Sequence, residues 1–208
     1  FTPLRGDSSI RGISIGLGVQ VRDVKRQVDT ALTSRLWSST ADQSAAQTQH
    51  RILSQIESVL GELGDNDLSS ELSSFFRGWS EMANGNGSGA SVVQQGDKLS
   101  AFMRSLRGDL TRQRSQLDQQ LGEAVNSANE MLTRVAELNG AIFQAEGTGA
   151  TANVLRDQRD QLISELSNLL DVSVVDRGQQ GIDVLVGSTP VVLGSQSRGL
   201  EIRRESDN

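Results

Sequence analysis

LRDQRDQLISELSNLLDVSVV, residues Leu155 to Val175, is the stretch whose reading decides the fold. It sets Arg156, Asp157, Arg159 and Asp160 within five positions and then turns apolar. Leu155, Leu162, Ile163, Leu166, Leu169 and Leu170 recur at helical spacing and form one stripe, so the charged cluster lies on a helix. After Asp171 the period shortens to two, and VSVV, IDVLV and PVVL read as short strands separated by DRGQQG and GST. The stretch is therefore a junction where a helix hands over to a small antiparallel meander.

Read toward the N-terminus, the helix continues a larger helical system. GTGAT separates it from the longest periodic run of the chain, roughly 91–145, which contains no proline. Leu99, Met103, Leu106 and Leu110 step by four, three and four; Leu117, Leu121, Val125 and Ala128 break strict heptads; Leu132, Val135, Leu138 and Ile142 resume. The slip between Leu117 and Val125 is a stutter, which unwinds a supercoil locally. Gly108, Gly122 and Gly140 each weaken a helix by about 1 kcal/mol, so a break is open at any of them. The short link predicts that this helix and the next run antiparallel.

LSSELSSFFRGWSEM is a further helix, with Asp67 or Ser69 as its cap and Phe75, Phe76 and Trp79 expected to pack into the bundle. The Gly-rich ANGNGSGAS connects it to the long helix. Val21, Val24, Val28, Leu32 and Leu36 begin a first helical stripe that Ile52, Ile56, Val59 and Leu60 resume. Before it, Ile13, Ile15, Leu17, Val19 and Val21 alternate, an extended segment. The expected organisation is an extended N-terminal segment over 1–20, a helical rod over 21–170 and a β-meander over 171–208. The fold class is mainly α: an elongated antiparallel bundle or coiled-coil rod with a small antiparallel β annex.

Composition agrees with a thin helical architecture. Of 208 residues only 3% are aromatic and 36% hydrophobic, and there is no Tyr. The net charge is −6 and basic residues are interleaved with acidic ones, which argues against nucleic acid or an anionic membrane as partner. No Cys is present, so disulfides and thiolate metal sites are excluded. No apolar run approaches the roughly 20 residues of a membrane span, and no signal peptide opens the chain. Phe1 and Thr2 without Met suggest a piece of something longer.

Motifs that could carry chemistry fail on context. As an active site, RDQRD would pair carboxylates with arginines, but no pocket-forming sequence accompanies it. Arg156 and Asp160 are four apart and can pair across one turn, which assigns Arg156, Asp157, Arg159 and Asp160 a structural, interhelical role. Gly16 and Gly18 lack the third glycine of a dinucleotide fingerprint, since position 21 is Val. His50 is the only His and has neither metal-ligand nor triad context, which makes it an exposed helical His. GDKLS lacks the upstream glycine of a phosphate loop. RGD occurs at Arg5–Asp7 and Arg107–Asp109; the second copy falls inside the long helix and is expected to be inert. Asn86-Gly87-Ser88 fits a glycosylation sequon but also plain turn chemistry. No catalytic, cofactor-binding or metal residue is assigned, and no cofactor.

Three stretches together resemble one family. GLGVQVRDVKRQVDTALTSRL, LRDQRDQLISELSNLLDVSVV and GIDVLVGSTPVVLGSQSRGLE are similar, in this order and spacing, to the rod domain of the bacterial flagellar hook–filament junction proteins, the first hook-associated proteins. The similarity covers about residues 13–203, and its most specific part is the D-Q-R-D-x-L-x-x-x-L-S core. It implies a structural, non-enzymatic subunit that leaves the cell through the flagellar export channel without a cleaved signal peptide. Its place would be outside the cell, in the flagellum. The implied partners are copies of itself in a ring, the flagellar hook protein, the neighbouring junction protein and an export chaperone, with no nucleic acid and no membrane. The resemblance makes RDQRD a framework motif, with Asp157, Arg159 and Asp160 tying the helix to its neighbours. The terminal helices of the family are missing, so a middle piece is expected, one that cannot form a ring alone and leaves an apolar strip on its long helices. Another axial protein such as flagellin, or a host-facing adhesin using the first RGD, are the competing readings.

Overall fold

The computed structural model describes residues 2–3, 9–10, 13–14, 19–20, 26–61, 67–149, 151–178 and 181–203, the first four pairs through their backbone. The chain divides into two compact units, 1–33 and 34–208. In the first, β1 (Thr2–Pro3) pairs antiparallel with β4 (Val19–Gln20), and β2 (Ser9–Ile10) with β3 (Ile13–Ser14). Part of the alternating segment is therefore paired strand. Ile15, Leu17, Val21 and Val24, the Gly16–Gly18 pair and the first RGD lie outside the described residues.

Helix α1 spans Thr30–Leu60. It starts nine residues later than the first position of the stripe because Asp29 caps it: its Oδ1 accepts from the backbone N–H groups of Ala31 and Leu32, both at 3.0 Å. Trp37 and Ala41 are its buried residues, and His50 is exposed. The expected stripe is otherwise open, since Val28, Leu32 and Leu36 are all exposed.

Helix α2 (Leu68–Ala83) begins at Asp67, whose Oδ1 accepts from Ser70 N, while Ser70 Oγ donates back to Asp67 O at 2.9 Å. Phe75 packs edge-on against Phe76 and Trp79. The expectation that all three enter the bundle is corrected for two of them: Phe76 is 58% and Trp79 47% exposed. Only Phe75 turns toward the next helix, where it meets Gly96.

Helix α3 (Gly89–Gly147) has 59 residues, about 88 Å at 1.5 Å per residue. Ser88 caps it by accepting from Ser91 N, which explains the Asn86-Gly87-Ser88 triplet as turn chemistry. Gly108, Gly122 and Gly140 all lie inside it without a break, and so does the second RGD. The backbone cost of those glycines is met by partners on both ends. Helix α2 runs antiparallel to its first third, with Gly78 opposite Val92 and Gln95 and Phe75 opposite Gly96. Helix α4 (Asn153–Leu166) folds back along its last third. The predicted antiparallel order follows from its contacts, because Arg156 meets Glu146 and Arg159 meets Asn139. Between these two covers, Leu121 is 50% exposed, at the place where the heptads slip.

After α4, β5 (Val172–Asp176), β6 (Ile182–Val186), β7 (Thr189–Leu193) and β8 (Gln196–Ser197) form one antiparallel sheet in chain order. The fourth strand was not among the three predicted runs; two residues are too short to show a period. One face of the sheet carries Val172, Ile182, Val184, Val191 and Val192 into a single core with Ala128, Leu132, Val135 and Ala136 of α3, Ile163 and Leu166 of α4, and Trp37. Both Val191 and Val192 are buried because the β6–β7 register shifts at Val184/Leu185.

Candidate structural site at the helix–sheet joint

Three buried polar side chains, Asn139, Arg159 and Asp183, gather where α3, α4 and the sheet meet. Asn139 is 1% exposed and sits on the same face of α3 as Leu132, Val135 and Ile142. Its Nδ2 donates to Ile182 O at 2.8 Å and to Gly194 O at 2.7 Å. Its Oδ1 accepts from Ile182 N at 3.3 Å and from Arg159 Nη1 at 3.1 Å. A carboxamide has two donors and an oxygen with two lone pairs, so Asn139 is fully used. One side chain thus joins α3 to the start of β6, the end of β7 and α4.

Backbone shape is adapted to that amide. Gly181 has φ +88°, a conformation that L side chains rarely adopt, and a Cβ there would lie 2.9 Å from Asn139 Cγ and Oδ1. Gly140, next to Asn139, faces Ser195 at 3.6 Å from the position of a Cβ, so α3 passes close under the β7–β8 turn. Asp183, also buried, accepts from Gly194 N at 3.0 Å through Oδ1 and from Arg177 Nε at 2.8 Å through Oδ2. A cleft of about 470 Å³ opens beside these groups, with Phe143 and Leu193 among its walls. Its two charged groups, Arg177 and Asp183, are paired with each other.

A second carboxamide repeats the device one step back along α3. Asn129 Nδ2 donates to Leu200 O at 3.0 Å, and Asn129 Oδ1 accepts from Leu200 N at 2.7 Å. The side chain pairs with one residue's backbone in both directions, as a neighbouring strand would.

The RDQRD residues divide between this joint and the surface. Arg159 is 5% exposed and is directed at Asn139, with Nε 3.8 Å from Asp160 Oδ1. Arg156 does not take Asp160 as its main partner. Its Nε and Nη2 donate to the two oxygens of Glu146, both at 2.8 Å, across the α3–α4 turn. The bidentate geometry of a carboxylate ten residues back outcompetes the one-turn pairing expected from spacing alone. Hydrogen bonding from Arg156, against a smaller opposing effect of burial, holds the Glu146 carboxyl below its ordinary value. The same bond raises Arg156, with burial opposing and Asp176 and Asp160 adding attraction at longer range. Asp157 is exposed.

The geometry of this joint fixes elements to one another. Among the described residues, no group of three or more His, Asp or Glu side chains is placed to hold a metal ion. No helix among them is long and apolar enough to cross a membrane.

Comparison with known proteins places this architecture. The model of the flagellar hook-associated protein FlgK helical domain matches residues 53–208. Flagellar hook-associated protein 1 of Bacillus subtilis is 34% identical over 163 residues, 77% of this chain and 32% of that protein. The protein of the same name from Salmonella typhimurium is 31% identical over 193 residues, 89% of this chain and 34% of its own length, and that of Escherichia coli is 28% identical over 193 residues. The chain spans about a third of the length of the curated relatives it matches. In fold, it is similar to the structure of the flagellar hook junction protein FlgK from Burkholderia pseudomallei, with a TM-score of 0.70 at 23% identity over 79% of this chain and 29% of that one.

Proposed function

The chain belongs to the family of the flagellar hook-associated protein FlgK helical domain, and from that premise we propose that it serves as a structural, non-catalytic part of the junction between flagellar hook and filament. The observation that carries the reading is the family match itself, which runs through α2, α3, α4 and the whole of the sheet. The physical character of the molecule supports it. Its buried polar groups are spent on holding the sheet to α3, as at Asn139, which suits a part that transmits position and not one that turns over a substrate. The partners in this reading are further copies in a ring, the hook protein, the neighbouring junction protein and a chaperone for export. The location is the flagellum outside the cell, reached without a cleaved signal peptide. Arg156, Asp157, Arg159 and Asp160 act as framework residues of the α3–α4 hairpin.

The test is deletion of the gene, followed by electron micrographs of the cells and an assay of flagellin in the medium. Hooks without filaments, with unpolymerised flagellin released, are the expected result. Normal filaments and swimming would overturn the reading.

A further inference from the structure

Three Asn-Gly pairs occur in the chain: Asn84-Gly85, Asn86-Gly87 and Asn139-Gly140. Such a pair carries its own chemistry. The main-chain nitrogen after an asparagine can attack that asparagine's side-chain carbonyl carbon, and a glycine there has no side chain to obstruct the approach. The fold treats the three pairs differently. Asn139 spends its whole carboxamide on Ile182, Gly194 and Arg159, and Gly140 lies inside α3, where the helix ladder holds its N–H. Asn84 is exposed, but Gly85 N donates to Met82 O at 3.1 Å. Asn86 N donates to Glu81 O at 3.0 Å, and Gly85 has φ +75°. This is the left-handed finish of a helix, in which two successive N–H groups satisfy the last carbonyls of α2.

Gly87 is the first residue past that finish and directly precedes Ser88, the cap of α3. Neither helix uses its N–H. Among the described residues no acceptor is placed for Gly87 N, and the carboxamide of the exposed Asn86 makes no hydrogen bond. Glycine is also required at 87, because a Cβ there would lie 2.9 Å from Met82 N and 3.1 Å from Glu81 C. The packing of the turn against α2 therefore selects the neighbour that leaves Asn86 most reactive.

We propose that Asn86 is a self-modifying site, at which the main chain converts the side-chain amide to an acid. Gly87 N gives its proton to hydroxide and bonds to Asn86 Cγ. The tetrahedral carbon expels the side-chain nitrogen as ammonia and leaves a cyclic imide. Water then opens the ring. Cleavage of the new bond to Cγ gives aspartate; cleavage of the original bond between Gly87 N and the Asn86 main-chain carbonyl gives isoaspartate. One water is consumed and one ammonia released, with no oxidant or reductant. Isoaspartate routes the main chain through Cβ and Cγ and so lengthens it by a methylene. Gly87 sits too close to Met82 N to absorb that atom in place, so the isoaspartyl product loosens the α2–α3 turn while the aspartyl product leaves it intact. The site stands apart from the junction reading, since it rests on the turn alone.

The test ages the purified chain in warm, mildly alkaline buffer and follows each pair by peptide mass mapping and by isoaspartate-specific enzymatic methylation. A neutral hydrogen bond slows a reaction that needs its donor by about fivefold, the equivalent of about 1 kcal/mol. Asn86 should therefore convert at least about fivefold faster than Asn84, and Asn139 should stay intact while the chain is folded. In concentrated urea the three should react at similar rates. Asn84 converting as fast as Asn86 in the folded chain would overturn the proposal, as would the same preference for Asn86 in urea. So would an intact Asn86 after an interval that converts a synthetic peptide of residues 83–89. Asn86→Ser should remove the early methyl-accepting product, and its persistence would place the reaction elsewhere. Amide exchange reads the consequence: aged protein should lose protection at Asn86 and Ser91, and Asn86→Asp should keep it. Equal protection in the two would overturn the loosening of the turn.

Discussion

Replacing Asn139 with alanine isolates what the helix–sheet joint contributes. The substitution removes hydrogen bonds to Ile182 O, Ile182 N and Gly194 O, and one from the Arg159 guanidinium. Three neutral bonds at about 1 kcal/mol each and one charge-assisted bond at about 2 kcal/mol give a gross loss of about 5 kcal/mol. Alanine returns roughly half a kcal/mol in helix propensity, and the partly buried Gly194 carbonyl recovers some hydration. A net loss of about 3–4 kcal/mol follows. With a urea slope of about 2 kcal/mol/M, the unfolding midpoint followed by circular dichroism should fall by about 1.5–2 M. Asn139→Asp keeps the shape but turns a carboxylate toward two carbonyl oxygens, so it should be at least as damaging despite Arg159. Amide exchange should locate the damage: protection at Ile182 and Gly194 falls while the α2–α3 end keeps its own. A midpoint shift below about 0.5 M for both variants would mean that the amide is dispensable and that apolar packing alone holds the sheet.

Further predictions follow from the same neighbourhood and from the aromatic residues. Gly181→Ala combines a positive φ with a Cβ 2.9 Å from Asn139, and should cost about 2–3 kcal/mol; a melting temperature within a degree of the parent would contradict the close approach. Glu146→Gln should flatten the acid side of the stability–pH curve. The folded Glu146 carboxyl is depressed below its ordinary value of 4.5, so its contribution is present in full above that value and is lost as pH falls through the lower folded value. Urea midpoints from neutral pH down to about 3 should converge for the two proteins at the acid end; parallel curves would remove the Arg156 pair as the cause. Only two tryptophans are present, and Trp37 is 7% exposed against 47% for Trp79. Acrylamide should therefore quench the Trp37→Phe variant strongly and the Trp79→Phe variant weakly; equal quenching would contradict the burial of Trp37.

Periodicity made the long elements legible. The proline-free periodic run placed α3 at roughly 91–145, and the helix runs Gly89–Gly147 because Ser88 and the Gly-rich turn set its start. The change of period after Asp171 marked the start of β5 at Val172. Asn139 was missed, although a signal existed: it falls on the apolar face between Val135 and Ile142, where a polar residue must find buried partners. Its partners lie 43 and 55 residues away at Ile182 and Gly194, and spacing rules see only one or two turns. The same short reach produced the Arg156–Asp160 pairing in place of Arg156–Glu146. Phe76 and Trp79 were misread for another reason. Amphipathic spacing shows that a face is apolar but not that something covers it.

The two asparagines explain why a helix of this length is fastened to its sheet by amides as well as by valines. Apolar contacts between α3 and the sheet are non-directional and allow small slides and rotations at little cost. Asn139 and Asn129 are ten residues apart, about 15 Å along α3. Each grips backbone groups of the sheet segment, at Ile182 and Gly194 in one case and at Leu200 in the other. Two fixed points define a direction as well as a position. With hydrogen bonds tolerating a displacement of about 0.5 Å before they weaken, fasteners that far apart hold the tilt of the sheet on α3 to within a few degrees. For a part proposed to pass geometry from one lattice to another, that angular stiffness is the property the buried amides supply and an all-apolar joint would lack.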